Sequence, residues 1–381
     1  MSRVRLLPLL LALASARAEA QVTIGGAPWG LTVEAFANVT AGREDGADDP
    51  FARRDVGARL DGAVRLIGLV KTDGGFAFGP RVVVETTPGD SVGFAERSLL
   101  VQGSWGRVEL GHRQGLPDVL IGYPPNSFTF TGAEYGPATG PGLDPDGRLP
   151  TSRLDAGLAS QIDALSYLGF AAALYLDQSR KVIYVSPRKR GFLAGLSFAP
   201  DVDDRYGPYG RLLQTGLVYE GYTESHIVRV GATYTYAAGR PQVASAPATG
   251  DLHSISAGAT VTLHERLILA AAASFDGRSG RERPVTGVTP AAAFGYSASV
   301  NYNVGAWTVG GYYQAARAEG DIALPGEDRL TAFQLGASYR FDRRLRLYGA
   351  AYFYRFADEA GQGPARRPAG AVLLFGARAT L

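Results

Sequence analysis

The chain has 381 residues, 46% of them hydrophobic and only 19% charged, with 38 basic against 36 acidic side chains. Its 19 Tyr and 17 Phe argue against disorder, and the absence of Cys excludes a disulfide framework, a thiolate metal site and a cysteine nucleophile. A mean hydropathy of −0.03 excludes a helical membrane bundle, and the balanced charge gives no basic field for nucleic acid.

The first element is MSRVRLLPLLLALASARAEA. Arg3 and Arg5 form a positive start, Leu6 to Ala16 an apolar run, and Ala18-Glu19-Ala20 a small-residue cleavage site. This predicts a secretory signal peptide over 1–20, cleaved before Gln21. Removing Arg3, Arg5, Arg17 and Glu19 leaves 35 basic and 35 acidic residues in the remaining chain. No later segment reaches the roughly 18 consecutive apolar residues of a membrane-spanning helix. An exported chain of this kind enters a membrane only as a closed barrel.

Sixteen strands are predicted in order. The first is 30–40, followed by 54–70 and 76–86 around the turn Thr72-Asp73-Gly74-Gly75, then 94–103 and 107–114 around Ser104-Trp105-Gly106. After a long irregular stretch come 180–187 and 192–200, 214–222 and 227–237, 253–263 and 266–275, 292–304 and 306–317, and finally 330–341, 345–356 and 370–381. Short turns alternate with long polar connections at 41–53, 201–212, 238–252, 276–291, 318–329 and 357–369. Short turns at one end and long loops at the other fit an outer-membrane barrel. The domain reading is therefore one barrel over 21–381.

The period of two supports this. Asp55, Gly57, Arg59, Asp61 and Arg65 share one face of their strand, and Val56, Ala58, Leu60, Val64 and Leu66 the other. Arg81 and Glu85 alternate with Val82 and Val84; Arg107, Glu109 and Arg113 alternate with Val108, Leu110 and His112. Phe333, Leu335, Ala337, Tyr339 and Phe341 oppose Gln334, Gly336, Ser338 and Arg340. An apolar face toward lipid and a charged face toward water is the pattern of a water-filled barrel. A packed soluble barrel would bury those charges at high cost. Tyr and Phe near strand ends, such as Tyr219, Tyr222, Tyr234, Tyr236 and Tyr339, suit interfacial girdles.

The segment FAERSLLVQGSWGRVELGHRQGL (94–116) resembles the strand-turn-strand before the constriction loop of the Gram-negative general porins, especially the alphaproteobacterial type. RKVIYVSPRKRGFLAGLSFAP (180–200) resembles the strand pair after that loop, and Glu134-Tyr135-Gly136 a piece inside it. The resemblance covers the whole mature chain. It implies an all-β, 16-stranded antiparallel transmembrane β-barrel, assembled as a homotrimer in outer-membrane lipid. Two departures stand out. The chain ends in Leu381 where members of the family usually end in Phe, and Ile183 and Val185 occupy positions that are charged in some relatives.

The stretch 115–178 is too long for a plain connection; the resemblance implies that it folds into the lumen as a constriction loop. It carries Asp118, Glu134, Asp144 and Asp146. The early strands offer Arg59, Arg65, Arg81, Arg97, Arg107 and Arg113, with Arg97 placed by the resemblance alone. Acids on a loop opposite arginines on a wall would set a transverse field that selects ions and orients dipolar solutes. The alternative is local pairing of these arginines with Asp61, Glu85 and Glu109. Within the loop, 151–170 has helical periodicity, with Ser152 and Asp155 resembling a capping box.

An enzyme is not expected. His112, His226, His253 and His264 lie in no zinc or nucleophile motif. No cofactor is implied. Asp48-Asp49 and Asp201/Asp203/Asp204 could hold Ca²⁺, but solvated loop acids explain them as well. The expected function is passive diffusion of small hydrophilic solutes and ions. A substrate-specific channel is the first alternative, and a barrel enzyme and a soluble binding protein follow it.

Overall fold

The computed structural model describes residues 22–46, 56–87, 91–121, 179–202, 209–239, 250–277, 293–319, 327–358 and 369–380. The strands are β1 Val22–Gly26, β2 Trp29–Gly46, β3 Val56–Lys71, β4 Ala77–Thr87, β5 Ser91–Gly103, β6 Gly106–His112, β7 Arg180–Val185, β8 Phe192–Ala199 and β9 Tyr209–Tyr222. They continue as β10 His226–Gly239, β11 Leu252–Leu263, β12 Leu267–Gly277, β13 Ala293–Val304, β14 Trp307–Glu319, β15 Glu327–Arg340, β16 Leu345–Asp358 and β17 Ala369–Thr380. One short helix, α1 Leu116–Leu120, follows β6.

Strands β2 to β17 each pair antiparallel with their sequence neighbours, and β17 returns to pair with β2. The result is a closed barrel of 16 strands. All sixteen predicted strands are present, but several are longer than hydropathy suggests. β2 extends to Gly46, which pairs with Gly370, and β9 begins at Tyr209 inside a stretch read as loop. The apolar alternation stops where lipid stops, whereas the hydrogen-bonded ladder runs on. β1 is an addition. It pairs Val22↔Val33 to Gly26↔Trp29, along the edge of β2 left open where β17 ends at Thr380↔Phe36. A run of only five residues ending in Gly-Gly reads as a turn, so sequence pattern alone does not reveal it.

The alternation of faces is as predicted. Phe333, Leu335, Leu373 and Phe375 are exposed, while their strand neighbours Gln334 and Leu374 are buried. In β13 the outward positions Tyr296, Val300, Tyr302 and Val304 are all exposed apolar or aromatic groups, and the inward Ser297, Ser299 and Asn301 are buried. Near-neutral hydropathy is the mean of these two faces.

The seam between first and last strands has its own tie. Tyr348 on β16 lies opposite Gly376 on β17 and donates a hydrogen bond of 2.8 Å to Asn38 Oδ1 on β2. The ring reaches across because Gly376 has no side chain; an added Cβ would overlap the Tyr348 phenol. Tyr348→Phe removes this buried bond and is expected to lower unfolding stability by about 1 kcal/mol. Gly376→Val is expected to cost more, because it displaces the whole ring. Urea unfolding in detergent measures both.

Candidate functional site

The inward faces of β2 to β6 carry an isolated ion pair and a chain of four more. Arg65 donates to Glu34 at 2.7 Å. Arg81 Nε donates to Glu96 at 2.9 Å, and Arg113 Nη1 reaches the other oxygen of the same carboxylate. Arg113 Nε donates to Glu109 at 2.7 Å, and Arg107 pairs with Glu109 at 3.1 Å. Glu96 and Glu109 are almost fully buried, and so is Arg113, at 8% side-chain exposure. Arg65 and Arg107 retain 39% and 35% and remain accessible to ions. Glu96 therefore holds two cations, and Arg113 holds two anions.

The predicted basic residues divide accordingly. Arg65, Arg81, Arg107 and Arg113 come together on one wall. Arg59 lies in β3 in register with Thr40; its side chain is outside the described residues. The placement of Arg97 on that wall requires correction. A bulge between Val83 and Val84 sets Glu96 and Phe94 on successive partners. Ala95 and Glu96 then both turn inward, and Arg97 shares the outer face with Leu99, lying over the Phe94 ring at 5.6 Å. Of the acidic residues, Asp118 lies in α1 within electrostatic reach of Arg113. Glu134, Asp144, Asp146 and the helix expected over 151–170 lie outside the described residues, as do Asp48, Asp49, Asp203 and Asp204. The alternative of local pairing holds for Glu109. The principal partner, Glu96, is missed by sequence reasoning because the bulge conceals its phase. Glu34 was legible from plain alternation between Val33 and Ala35.

The root of the long loop turns into the barrel at Arg113. Residues 113–117 are all buried. Gly115 adopts an extended conformation before α1, and Pro117 occupies the first turn, where its missing N–H costs nothing. Leu116 and Leu120 pack on Ile183, Val185 and Val218, with Val119, Ile121 and Leu193 at the margin. Two polar ties add direction: the Leu116 N–H donates to Gln214 Oε1 at 2.9 Å, and Arg229 donates to the Leu120 carbonyl. The apolar Ile183 and Val185 thus form the floor beneath the loop root.

The floor is flat because it is built on glycine. Gly195 on β8, Gly216 on β9 and Gly231 on β10 face α1, and a Cβ at each would lie only 2.7–2.8 Å from Leu116, Leu120 or Ile121. Each fully buried leucine contributes about 1.5–3 kcal/mol. The remaining inward face, from β9 to β15, is largely neutral and polar: Gln214, Thr235, Ser254, Ser274, Gln314 and Gln334 are all buried. Among the described residues, the sector that leads into α1 thus carries the densest set of ion pairs.

A closed strand barrel with an apolar exterior, a polar interior and a chain segment tucked inside defines a transmembrane β-barrel. A family model described as Gram-negative porin matches residues 9–359, and the chain belongs to that family. Among solved structures, the anion-selective porin from Comamonas acidovorans superposes with a TM-score of 0.59 at 16% identity, covering 92% of this chain and 100% of that one. The trimer form of OmpT from Vibrio cholerae gives 0.59 at 13% identity, with 92% and 99% covered. OmpF of Salmonella typhi in complex with daunomycin gives 0.59 at 10% identity, with 94% and 100% covered. These likenesses establish the fold. No curated protein matches the chain in sequence.

Two outcomes are expected. Glu96→Gln leaves Arg113 and Arg81 short of a shared buried counter-charge and should destabilise the barrel by about 3–5 kcal/mol in urea unfolding. Gly216→Val should lift α1 off the wall toward the lumen, so that single-channel conductance falls below wild type.

Proposed function

We propose that the protein is an outer-membrane diffusion channel for small hydrophilic solutes and ions, exported with cleavage of residues 1–20 and narrowed by the loop that enters the lumen from Gly115. The observation that carries this reading is the inward turn of 113–121 onto the wall, beside a charged network and within an apolar outer belt. The pore function of Arg65 and Arg107 follows from their exposure, which lets them act on passing ions. Arg81 and Arg113 hold the wall and the loop root in place. A substrate-specific channel would gain support from Ile183 and Val185 only if they lined the lumen; α1 covers both.

The channel is further proposed to assemble as a homotrimer through β5–β7. Strand β6 presents only Val108 and Leu110 outward before His112, whereas β13 presents apolar groups from Phe294 to Val304. Arg97, His112 and Arg180 stand in one outward cross-strand row, with Arg180 donating to His112 at 3.3 Å. Arginine facing hydrocarbon near mid-depth costs about 2–4 kcal/mol, so this sector suits a protein neighbour better than lipid. The trimer form of the Vibrio cholerae protein is consistent with trimeric assembly.

In planar bilayers the purified protein should give ohmic current. Arg65→Gln with Arg107→Gln should shift the reversal potential in a salt gradient toward cation preference. An unchanged potential would remove both arginines from the selectivity of the channel. Arg97→Glu with Arg180→Glu should convert the unheated protein from a trimer to a monomer on a detergent gel. Trimeric migration of that variant would place the interface elsewhere.

A further inference from the structure

A second concentration of charge lies away from the constriction, at the short-turn end of β15–β17. Arg340 on β15 is directly opposite Arg346 on β16, and Arg346 is directly opposite Arg378 on β17. The row faces the lumen. The neighbouring Tyr339 points outward and packs against Trp307 with ring centroids 4.9 Å apart. Ser338 and Tyr348, on the same face as the arginines, are buried, and Tyr348 reaches Asn38 across the seam.

Like charges directly opposite in a sheet are destabilising, so this rung is not explained by the needs of the fold. Among the described residues, neither Arg340 nor Arg346 makes an ion pair or a side-chain hydrogen bond. The acid of the adjoining turn, Asp342, is committed to that turn. Its Oδ1 accepts the N–H groups of Arg344 and Leu345, each at 2.7 Å. Those two bonds hold its carboxyl below the usual carboxylate range. Arg343 and Arg344 in the same turn add further positive charge. The Arg378 guanidinium lies over the Phe36 ring at 4.4 Å. Such stacking uses the flat face of the guanidinium.

We propose that Arg340, Arg346 and Arg378 form a binding site for small oxyanions, phosphate or carboxylate, at the short-turn mouth of the pore. The geometry favours this class over a simple halide. Adjacent strands are about 4.8 Å apart, so neighbouring guanidinium forks can share one anion that offers several acceptor oxygens. Arginine is suited to bidentate contact with such groups. A bound oxyanion would also relieve the repulsion along the rung. The site stands apart from the exposed Arg65 and Arg107 and would act on solutes as they enter or leave the lumen. It rests on the channel reading above.

The test uses sodium phosphate as the probe. In planar bilayers held at constant chloride, phosphate added on the side of the short turns should reduce wild-type chloride current saturably. Arg340→Gln with Arg346→Gln should shift the half-blocking concentration upward at least tenfold. Arg65→Gln with Arg107→Gln should leave the block intact while moving the reversal potential. Calorimetric titration of phosphate onto the detergent-solubilised protein reads the same site without a current, so it separates failure of the rung from failure of the channel reading. Equal binding by wild type and the Arg340/Arg346 variant, or no saturable binding by wild type, would overturn the proposal.

Discussion

Every backbone polar group that enters hydrocarbon must find its partner within the protein. Among the described residues no helix is long and apolar enough to span a bilayer, and the closed barrel meets that requirement with strands. The rest of the structure follows from it. Closure makes each strand two-faced, and the two faces meet different solvents. Apolar groups such as Leu335, Val300 and Phe375 then stand exposed on the outside, while Gln334, Ser297 and Asn301 face inward. The same constraint explains β1. Where β17 stops at Thr380, the edge of β2 would be left with unpaired groups, and Val22–Gly26 fills it.

Charges inside the barrel are used in two ways. Glu96, Arg113 and Glu109 are buried and Arg81 is largely so, and each charge answers another, so they act as structure. Removal of one member exposes the cost of the rest. Arg107 belongs to the same chain of contacts and Arg65 pairs with Glu34 on the same wall, and both stay accessible from the lumen. The loop root depends on both kinds of force. Arg113 anchors its first residue in the charge network, and Leu116 and Leu120 anchor the next turn on an apolar floor that glycines keep level.

The barrel was legible because its signal is repeated. Alternation in one strand is weak, but sixteen segments of alternation separated by turns of regularly varying length leave little room for another fold. The charged phase of β3, β4 and β6 was legible for the same reason. The failures are local and share a cause: a period-2 reading assumes an unbroken pleat. The bulge near Ala95 breaks it and conceals the inward phase of Glu96, and it turns Arg97 to the outer face, against the wall position that the resemblance implies. The glycine floor was invisible as well, because Gly195, Gly216 and Gly231 come from three strands and meet only through α1. Ile183 and Val185 looked out of place as lumen residues because their partner, the loop root, is distant in sequence.

The seam bond has a consequence for time rather than for shape. Asn38 and Tyr348 are separated by 310 positions, which makes this tie strongly non-local. A contact between such distant segments is formed late, after the intervening strands have found one another. Interactions absent from the folding transition state act mainly on the rate of unfolding. The tyrosine that leans over Gly376 therefore serves as a latch: it does little to hasten assembly of the barrel, and it lengthens the life of the barrel once closed.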